Sequence, residues 1–490
     1  MTDNAAKLPA VVPDSEVVLE NGYPDWEKHL IMAQLRIETA TPEGTFQSAV
    51  SVLDHYAALG VNGLWINPIQ QRDPETAKEN GNNGYSNFGV HTIEPTLTGA
   101  DTAEGSRAVV RDFVEQAHKR NIRVIVDTIV WGTNKNAPLF REHPEYYYDP
   151  PRETWSGWGF DWDSQPLREY YTQAAVQFIM ETGADGFRVD LAPDTSGYFF
   201  KDVVDACLER GRKILVMSEC SSRHLGAFHI DEGSVGWGPE GYPWADTERM
   251  DILLQKYAFH GTTFLRHNIV DCVKSGYLIG NPEMQAEGKG GTLRYYTFNM
   301  INHDDDLPIV HGDRLTIAYQ ALFAPFIPIW WIGEEWNNPV NKMHQGVMYF
   351  NKIDWEKLDE PENRAFTEDV KRYIGIRRDN ADVFEVFPDS TRNANIEKVT
   401  SVYDRHDNRL QAYARFIPGK AVLIVPNSED EAKTVTVMPD YARIGLGEDG
   451  KLSITDMYTD EAVVEQGRPV TFSVQVRARD VGVYLLESVG

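Results

Sequence analysis

Short apolar runs alternate with segments of helical periodicity from about residue 29 to residue 377. Apolar runs of strand length lie at 30–37, 61–67, 123–128, 186–190 and 214–219. Segments with helical spacing lie at 46–59, 105–120, 167–182 and 202–212. Two of these segments are followed directly by Gly60 and Gly183, and glycine is a common helix stop. Strands and helices that alternate over short connections predict parallel βα units.

The apolar stretch 315–332 is nearly long enough to span a membrane. Pro325 and Pro328 interrupt it, so we predict a helix, a break and then a further strand, and no transmembrane segment.

The pattern changes after about residue 379. The remaining apolar runs are short, rich in β-branched residues and separated by turn residues, at 410–417, 421–425, 434–437, 470–476 and 481–486. This pattern predicts a C-terminal antiparallel β-sandwich of roughly a hundred residues, which is within the usual size range of a domain.

Carboxylates stand at the ends of several predicted strands. In Gly186–Asp190, Arg188 and Asp190 point the same way because strand side chains alternate between faces, and an adjacent arginine favours the ionised carboxylate. Asp127, Glu219 and Asp304 end three other apolar runs. Acids at the C-terminal ends of four strands are typical of the active face of a (β/α)8 barrel.

The composition of the chain limits the kinds of molecule that we expect it to bind. The 490-residue chain has a net charge of −27 and no Lys/Arg-rich run, which argues against nucleic acid and anionic membranes as partners. Three widely spaced cysteines do not suggest a disulfide framework, and the first twenty residues show no secretory signal. We therefore expect a cytoplasmic protein with a neutral substrate; the sequence leaves its oligomeric state open.

Several motifs in order give the chain a specific resemblance. They are GVNGLWINPI at 60–69, GY at 84–85 with IEP at 93–95, DWD at 161–163 with PLR at 166–168, and an apolar strand at 326–335 that ends in GEE. Together with the strand-end acids, these motifs resemble the α-amylase clan, glycoside hydrolase family 13. The resemblance covers most of the chain and implies a TIM barrel followed by a C-terminal β-sandwich.

The resemblance implies a retaining glycosidase that acts on α-glucan or malto-oligosaccharides. By position, Asp190 is the nucleophile, Glu219 the general acid/base and Asp304 the third carboxylate, which bonds sugar hydroxyls. In retaining enzymes two carboxyl groups about 5–5.5 Å apart form and then hydrolyse a covalent glycosyl-enzyme ester.

The resemblance also implies substrate-binding roles. Tyr85 supplies an aromatic face under the reacting sugar, and His303 donates a hydrogen bond to a sugar hydroxyl. Arg188 holds Asp190 ionised and aimed. Asp127 has two open interpretations, a position holder for Arg188 or a direct substrate contact. Trp131 is the best candidate for sugar stacking among the tryptophans, because it takes the place of an asparagine that family members usually carry.

The chain departs from the family pattern at two places. Trp131 and Gly132 replace the usual Asn-His pair, in which the asparagine is normally a calcium ligand, and Pro193 and Asp194 replace a usual Lys-His pair. We therefore expect no cofactor and no calcium at the standard site of the family. The expected domains are an N-terminal extension (1–25), the barrel (26–378) with a short domain B-like insertion (132–161), and the sandwich (379–490).

Two alternatives to hydrolysis stay open. A glucanotransferase or transglycosylase of the same clan uses the same acids, and the sequence does not show whether water or a sugar hydroxyl attacks the ester. A non-catalytic carbohydrate-binding barrel is the alternative outside the enzymes, although three acids that converge at strand ends argue against it. Linkage, chain-length preference and endo or exo action are equally open.

Overall fold

Eight parallel strands close into a barrel. The computed structural model describes residues 10–20, 23–75, 84–154, 157–190, 198–218, 230–231, 295–298, 314–322, 326–336, 352–384, 395–403, 406–407 and 412–489. The barrel strands, labelled β1 to β8 in chain order, are Met32–Leu35, Gly63–Ile66, Arg123–Ile129, Gly186–Asp190, Leu215–Ser218, Ile230–Asp231, Tyr295–Phe298 and Phe326–Trp331. Each pairs in parallel with its neighbour in the chain, and β8 pairs with β1. The predicted barrel is confirmed.

Helices lie between successive barrel strands from β1 to β5 and before β8, and two more follow β8. The described α-helices, α1 to α10, are Ile37–Ala40, Phe46–Ala49, Leu53–Leu59, Ala103–His118, Pro138–Glu142, Gln165–Thr182, Tyr198–Glu209, Arg314–Leu322, Pro361–Asp379 and Ala381–Phe384. Shorter 3-10 helices are Asp25–His29, Val50–Val52, Pro95–Leu97, Pro144–Tyr146, Glu334–Trp336 and Trp355–Asp359. Gly60 and Gly183 end α3 and α6 with φ of 93° and 74°, the left-handed conformation that glycine adopts most readily.

Two predicted elements differ in detail from the structure. The segment 46–59 is not one helix, because the 3-10 turn Val50–Val52 separates α2 from α3. The predicted strand 30–37 is shorter, since Ile37 already begins α1. By contrast, the segment 315–332 contains helix α8 and strand β8, as predicted, although Pro328 lies inside the strand; the predicted break at 323–325 lies outside the described residues.

The barrel strands separate two cores by simple alternation. Outward side chains such as Leu64, Val126 and Phe187 pack against the helices in the large core. Inward side chains such as Trp65 and Ile125 fill the barrel interior together with residues of β1, β5 and β8. Because β-strand side chains alternate, the inward set of each strand is fixed once one member is known.

An insertion of irregular structure and short elements follows β3. Its strands Gly132–Asn134 and Gly157–Gly159 pair antiparallel. A Cβ on Gly132 would lie 1.9 Å from the carbonyl oxygen of Trp158, so only glycine allows the two strands to approach this closely.

The C-terminal strands form an antiparallel unit. They are β9 to β17: Ile396–Tyr403, His406–Asp407, Ala412–Ile417, Lys420–Asn427, Lys433–Met438, Lys451–Asp456, Ala462–Gly467, Phe472–Val476 and Asp480–Val489. The first half of β9 pairs with β11 and its second half with β13, so β9 joins two layers. Side chains of both layers form one core, which includes Leu423, Val437 and Leu486. The predicted sandwich is confirmed.

The sandwich packs directly on the barrel. The large core is continuous across the junction and includes Ile396, Val422 and Val483 of the sandwich. Tyr373 in α9 donates a hydrogen bond of 2.5 Å to the buried Asp480. None of the helices in the described part of the chain is long and apolar enough to span a membrane.

Candidate active site

Polar side chains occupy the inward positions at the C-terminal ends of four neighbouring barrel strands. Gln34 lies in β1, Asn67 directly follows β2, Asp127 lies in β3, and Arg188 and Asp190 lie in β4. All five are buried. One layer deeper, several described inward positions are apolar, for example Ile125 below Asp127. Buried polar groups are costly unless they bond to each other, so this end of the barrel is built around a polar network.

Arg188 lies between two carboxylates. Its Nη1 donates to Asp190 Oδ1 at 2.6 Å and to Asp127 Oδ1 at 3.1 Å. The Arg188 side chain is 1% exposed, that of Asp127 0% and that of Asp190 9%. Asp190 is therefore the carboxylate of this pair that reaches a surface. Its hydrogen bond from the guanidinium favours the ionised form that a nucleophile requires.

Asp127 accepts three further hydrogen bonds. Trp65 Nε1 and the Tyr85 hydroxyl both donate to its Oδ2, at 3.1 Å and 2.6 Å, and Gln70 Nε2 donates to its backbone oxygen at 2.8 Å. Burial raises the pKa of Asp127 to about 6, although Arg188, Tyr85 and Trp65 each act to lower it. The carboxylate faces protein donors on both oxygens, which favours the interpretation of Asp127 as a position holder for Arg188.

Tyr85 is tied to the same network. The centre of its ring lies 5.9 Å from the guanidinium carbon of Arg188. The ring of Trp65 contacts the same guanidinium at 4.8 Å. Asn67 Nδ2 donates to the Tyr85 hydroxyl at 3.1 Å. Tyr85 is 6% exposed, so its hydroxyl points into the protein and at most an edge or part of one face is available to a ligand.

Trp131 lies just beyond the end of β3 and is 2% exposed. Its indole Nε1 is buried and has no hydrogen-bond partner in the described part of the chain. Calcium binds oxygen ligands, and the indole of Trp131 offers none. The residue at this position therefore does not fit a calcium site. Among the described residues, no group of three or more His, Cys, Asp or Glu side chains could hold a metal ion.

Three of the predicted site residues, Glu219, His303 and Asp304, lie outside the described residues. The structure brings the other five, Tyr85, Asp127, Trp131, Arg188 and Asp190, to the C-terminal side of β2, β3 and β4. Their catalytic and binding roles stay predictions.

The sequence interpretation missed Trp65, Asn67 and Gln34 as parts of this site. All three belong to, or directly follow, β1 and β2 and point inward. A signal was present, because Gln34 interrupts an apolar run and Trp65 and Asn67 stand two residues apart on one face of a strand.

The chain is similar in sequence to known alpha-amylases and related enzymes. Residues 20–160 match the family described as "Alpha amylase, catalytic domain". Alpha-amylase MalA of Haloarcula japonica is 23% identical over 435 residues, which cover 84% of this chain and 57% of that relative. A cyclomaltodextrinase of a Bacillus species is 23% identical over 310 residues, or 57% of this chain and 49% of that relative. The chain thus spans about half the length of these relatives.

The fold has solved counterparts. The maltogenic alpha-amylase AmyB of Thermotoga neapolitana superposes with a TM-score of 0.70 and 19% identity, over 94% of this chain and 99% of that protein. At this identity the likeness concerns the fold. Taken with the matched family and the relatives, it confirms the resemblance to the α-amylase clan that the motifs predicted.

Proposed function

Starting from this relationship to the α-amylase clan, we propose that the protein is a retaining α-glycoside hydrolase that acts on α-glucan or malto-oligosaccharides. The observation that carries the proposal is the buried Arg188 with Asp190 at the C-terminal end of β4. Asp190 is inward, hydrogen-bonded to a cation and the more exposed of the two carboxylates that the arginine contacts. In TIM-barrel enzymes the catalytic residues lie at the C-terminal ends of the barrel strands, as Asp190 does.

The proposed reaction has two steps. Asp190 attacks the anomeric carbon while Glu219 protonates the departing glycosidic oxygen, which breaks the bond to the leaving sugar and forms a glycosyl-aspartate ester. Water then attacks the same carbon, Glu219 accepts its proton, and the ester bond to Asp190 breaks. Asp304 and His303 bond hydroxyls of the reacting sugar.

The described network has a defined part in this scheme. Arg188 keeps Asp190 ionised and oriented before attack, and Asp127 fixes the guanidinium from its other side. Trp65 and Tyr85 surround the guanidinium with aromatic groups and exclude water from it. The positive charge is then available to Asp190 in a setting of low dielectric constant.

The test compares wild type with Asp190→Asn and Glu219→Gln on a nitrophenyl maltoside. Wild type should release nitrophenol and both variants should lose nearly all activity. Sodium azide should restore part of the turnover of Glu219→Gln, which lacks the acid/base but keeps the nucleophile. A wild-type protein that leaves this substrate and a panel of α-glucans intact would support the non-catalytic barrel instead.

Products from maltoheptaose separate hydrolysis from transfer. Hydrolysis gives only shorter oligosaccharides, because water takes the glycosyl group from Asp190. If oligosaccharides longer than the substrate form early in the reaction, a sugar hydroxyl competes with water and the protein is a transglycosylase.

A further inference from the structure

A chain of hydrogen bonds links four adjacent barrel strands to the proposed nucleophile. Gln34 Nε2 contacts Asn67 Oδ1 at 3.4 Å, and Asn67 Nδ2 contacts the Tyr85 hydroxyl at 3.1 Å. The hydroxyl then reaches Asp127 Oδ2 at 2.6 Å. Arg188 connects the opposite oxygen of Asp127 to Asp190. Gln34 and Asn67, at the start of this chain, have no assigned role in the proposed reaction.

The chemistry of these groups fixes the direction of the chain. A phenol has one proton, and it goes to the carboxylate because a charge-assisted bond of 2.6 Å is the stronger of its two contacts. The phenol oxygen must then accept its other bond, so Asn67 presents its NH2 group to Tyr85. The amide oxygen of Asn67 correspondingly faces the NH2 group of Gln34.

We propose that Asn67 is a positioning residue that aims the hydroxyl of Tyr85 at Asp127 and, through Asp127 and Arg188, holds Asp190 in place. The inference rests on the proposed function, since it assigns Asn67 a part in orienting that nucleophile. Asn67 is 1% exposed and lies too deep to replace its lost bond with bulk water. A side chain that only accepts hydrogen bonds at this position turns the phenol proton away from Asp127.

The perturbation is Asn67→Asp, which keeps the size of the side chain and removes the NH2 donor. When ionised, the new carboxyl competes with Asp127 for the phenol proton. When protonated, its O–H can donate to the phenol oxygen as the amide does. We therefore expect kcat to fall about tenfold at pH 8, the effect of one lost hydrogen bond in a charged network. The ratio of variant to wild-type kcat should rise again as the pH falls, with little change in KM.

The matched control is Asn62→Asp at the opposite end of β2. Asn62 is also an asparagine with two partners, accepting from the Ile31 N–H at 2.7 Å and donating to the His29 carbonyl at 3.0 Å. Its substitution removes comparable hydrogen bonds beside the same strand, and none of its partners belongs to the network. We expect its ratio of variant to wild-type kcat to be independent of pH.

A double-mutant cycle tests whether Asn67→Asp lowers kcat through the hydroxyl of Tyr85 or by weakening the fold in general. In a Tyr85→Phe background the phenol proton is absent, so Asn67→Asp should cause no further pH-dependent loss of kcat. If Asn67→Asp follows the flat profile of Asn62→Asp, or keeps its full pH-dependent effect in the Tyr85→Phe background, the inference is wrong. An inactive wild type would instead refute the proposed function, so the two failures are distinguishable.

Discussion

Replacement of Arg188 by methionine tests how the site is held together. The Arg188 side chain is 1% exposed and bonds two carboxylates that are 0% and 9% exposed. Arg188→Met leaves both acids without this cation in a buried setting. Removing one partner of a buried ion pair typically costs about 4 kcal/mol, and we expect a loss of that size in the free energy of unfolding at pH 7.

The loss should depend on pH in a defined direction. Burial already raises the pKa of Asp127 to about 6 although Arg188 acts to lower it, so without the cation this pKa rises further and the folded variant binds more protons than folded wild type. The stability of the variant relative to wild type then falls as the pH rises from about 6 through the raised pKa of Asp127. The deficit relative to wild type should shrink between pH 7 and pH 5.

Urea unfolding at pH 5, 6 and 7 measures both effects. Arg107→Met is the control, because Arg107 pairs with Glu181 at the surface, with side chains 20% and 38% exposed. Exposed pairs contribute about 0.5 kcal/mol, and their loss should show little dependence on pH in this range. If Arg188→Met costs no more than Arg107→Met, or its deficit grows towards pH 5, the reasoning about the buried network is refuted.

Three further predictions concern other parts of the barrel. Burial acts to raise the pKa of Asp185, but His118 and Arg123 hold it below its ordinary value; Asp185→Asn should therefore cost about 3 kcal/mol at pH 7. In urea titrations of wild type, this contribution should be lost as the pH falls below about 4. Gly375→Ala should stabilise α9 by about 1 kcal/mol in the same assay, because a Cβ at this position meets no atom of the described residues within 4 Å. Trp131→Phe removes a buried N–H that has no hydrogen-bond partner among the described residues, so the free energy of unfolding should not decrease by more than about 1 kcal/mol.

The barrel and the sandwich could be predicted because local signals agreed with the fold. Gly60 and Gly183 marked helix ends that the structure places there, and the stretch 315–332 contains a helix followed by a strand, as predicted. Element ends were less accurate. The helical period of 46–59 did not reveal the 3-10 turn inside it, since that turn keeps the same apolar face buried.

The site could be predicted only in part. Arg188 and Asp190 stand two residues apart in one strand, so their proximity followed from alternation alone. The contacts of Trp65 and Asn67 depend on how β2 is aligned with β3 and on the path of the loop that carries Tyr85. A single sequence does not fix the alignment of neighbouring strands, and the structure supplies it: Trp65 lies opposite Ile125, two residues before Asp127.

Trapping of the glycosyl-enzyme ester tests the central claim most directly. A 5-fluoro-α-glucosyl fluoride forms the ester quickly and releases it slowly, so the modified residue can be located by peptide mass spectrometry. We predict a single glycosyl adduct on the peptide that contains Asp190, and its absence in Asp190→Asn. An adduct on Asp127 or on another residue, or steady hydrolysis of malto-oligosaccharides without any trapped ester, would contradict the account.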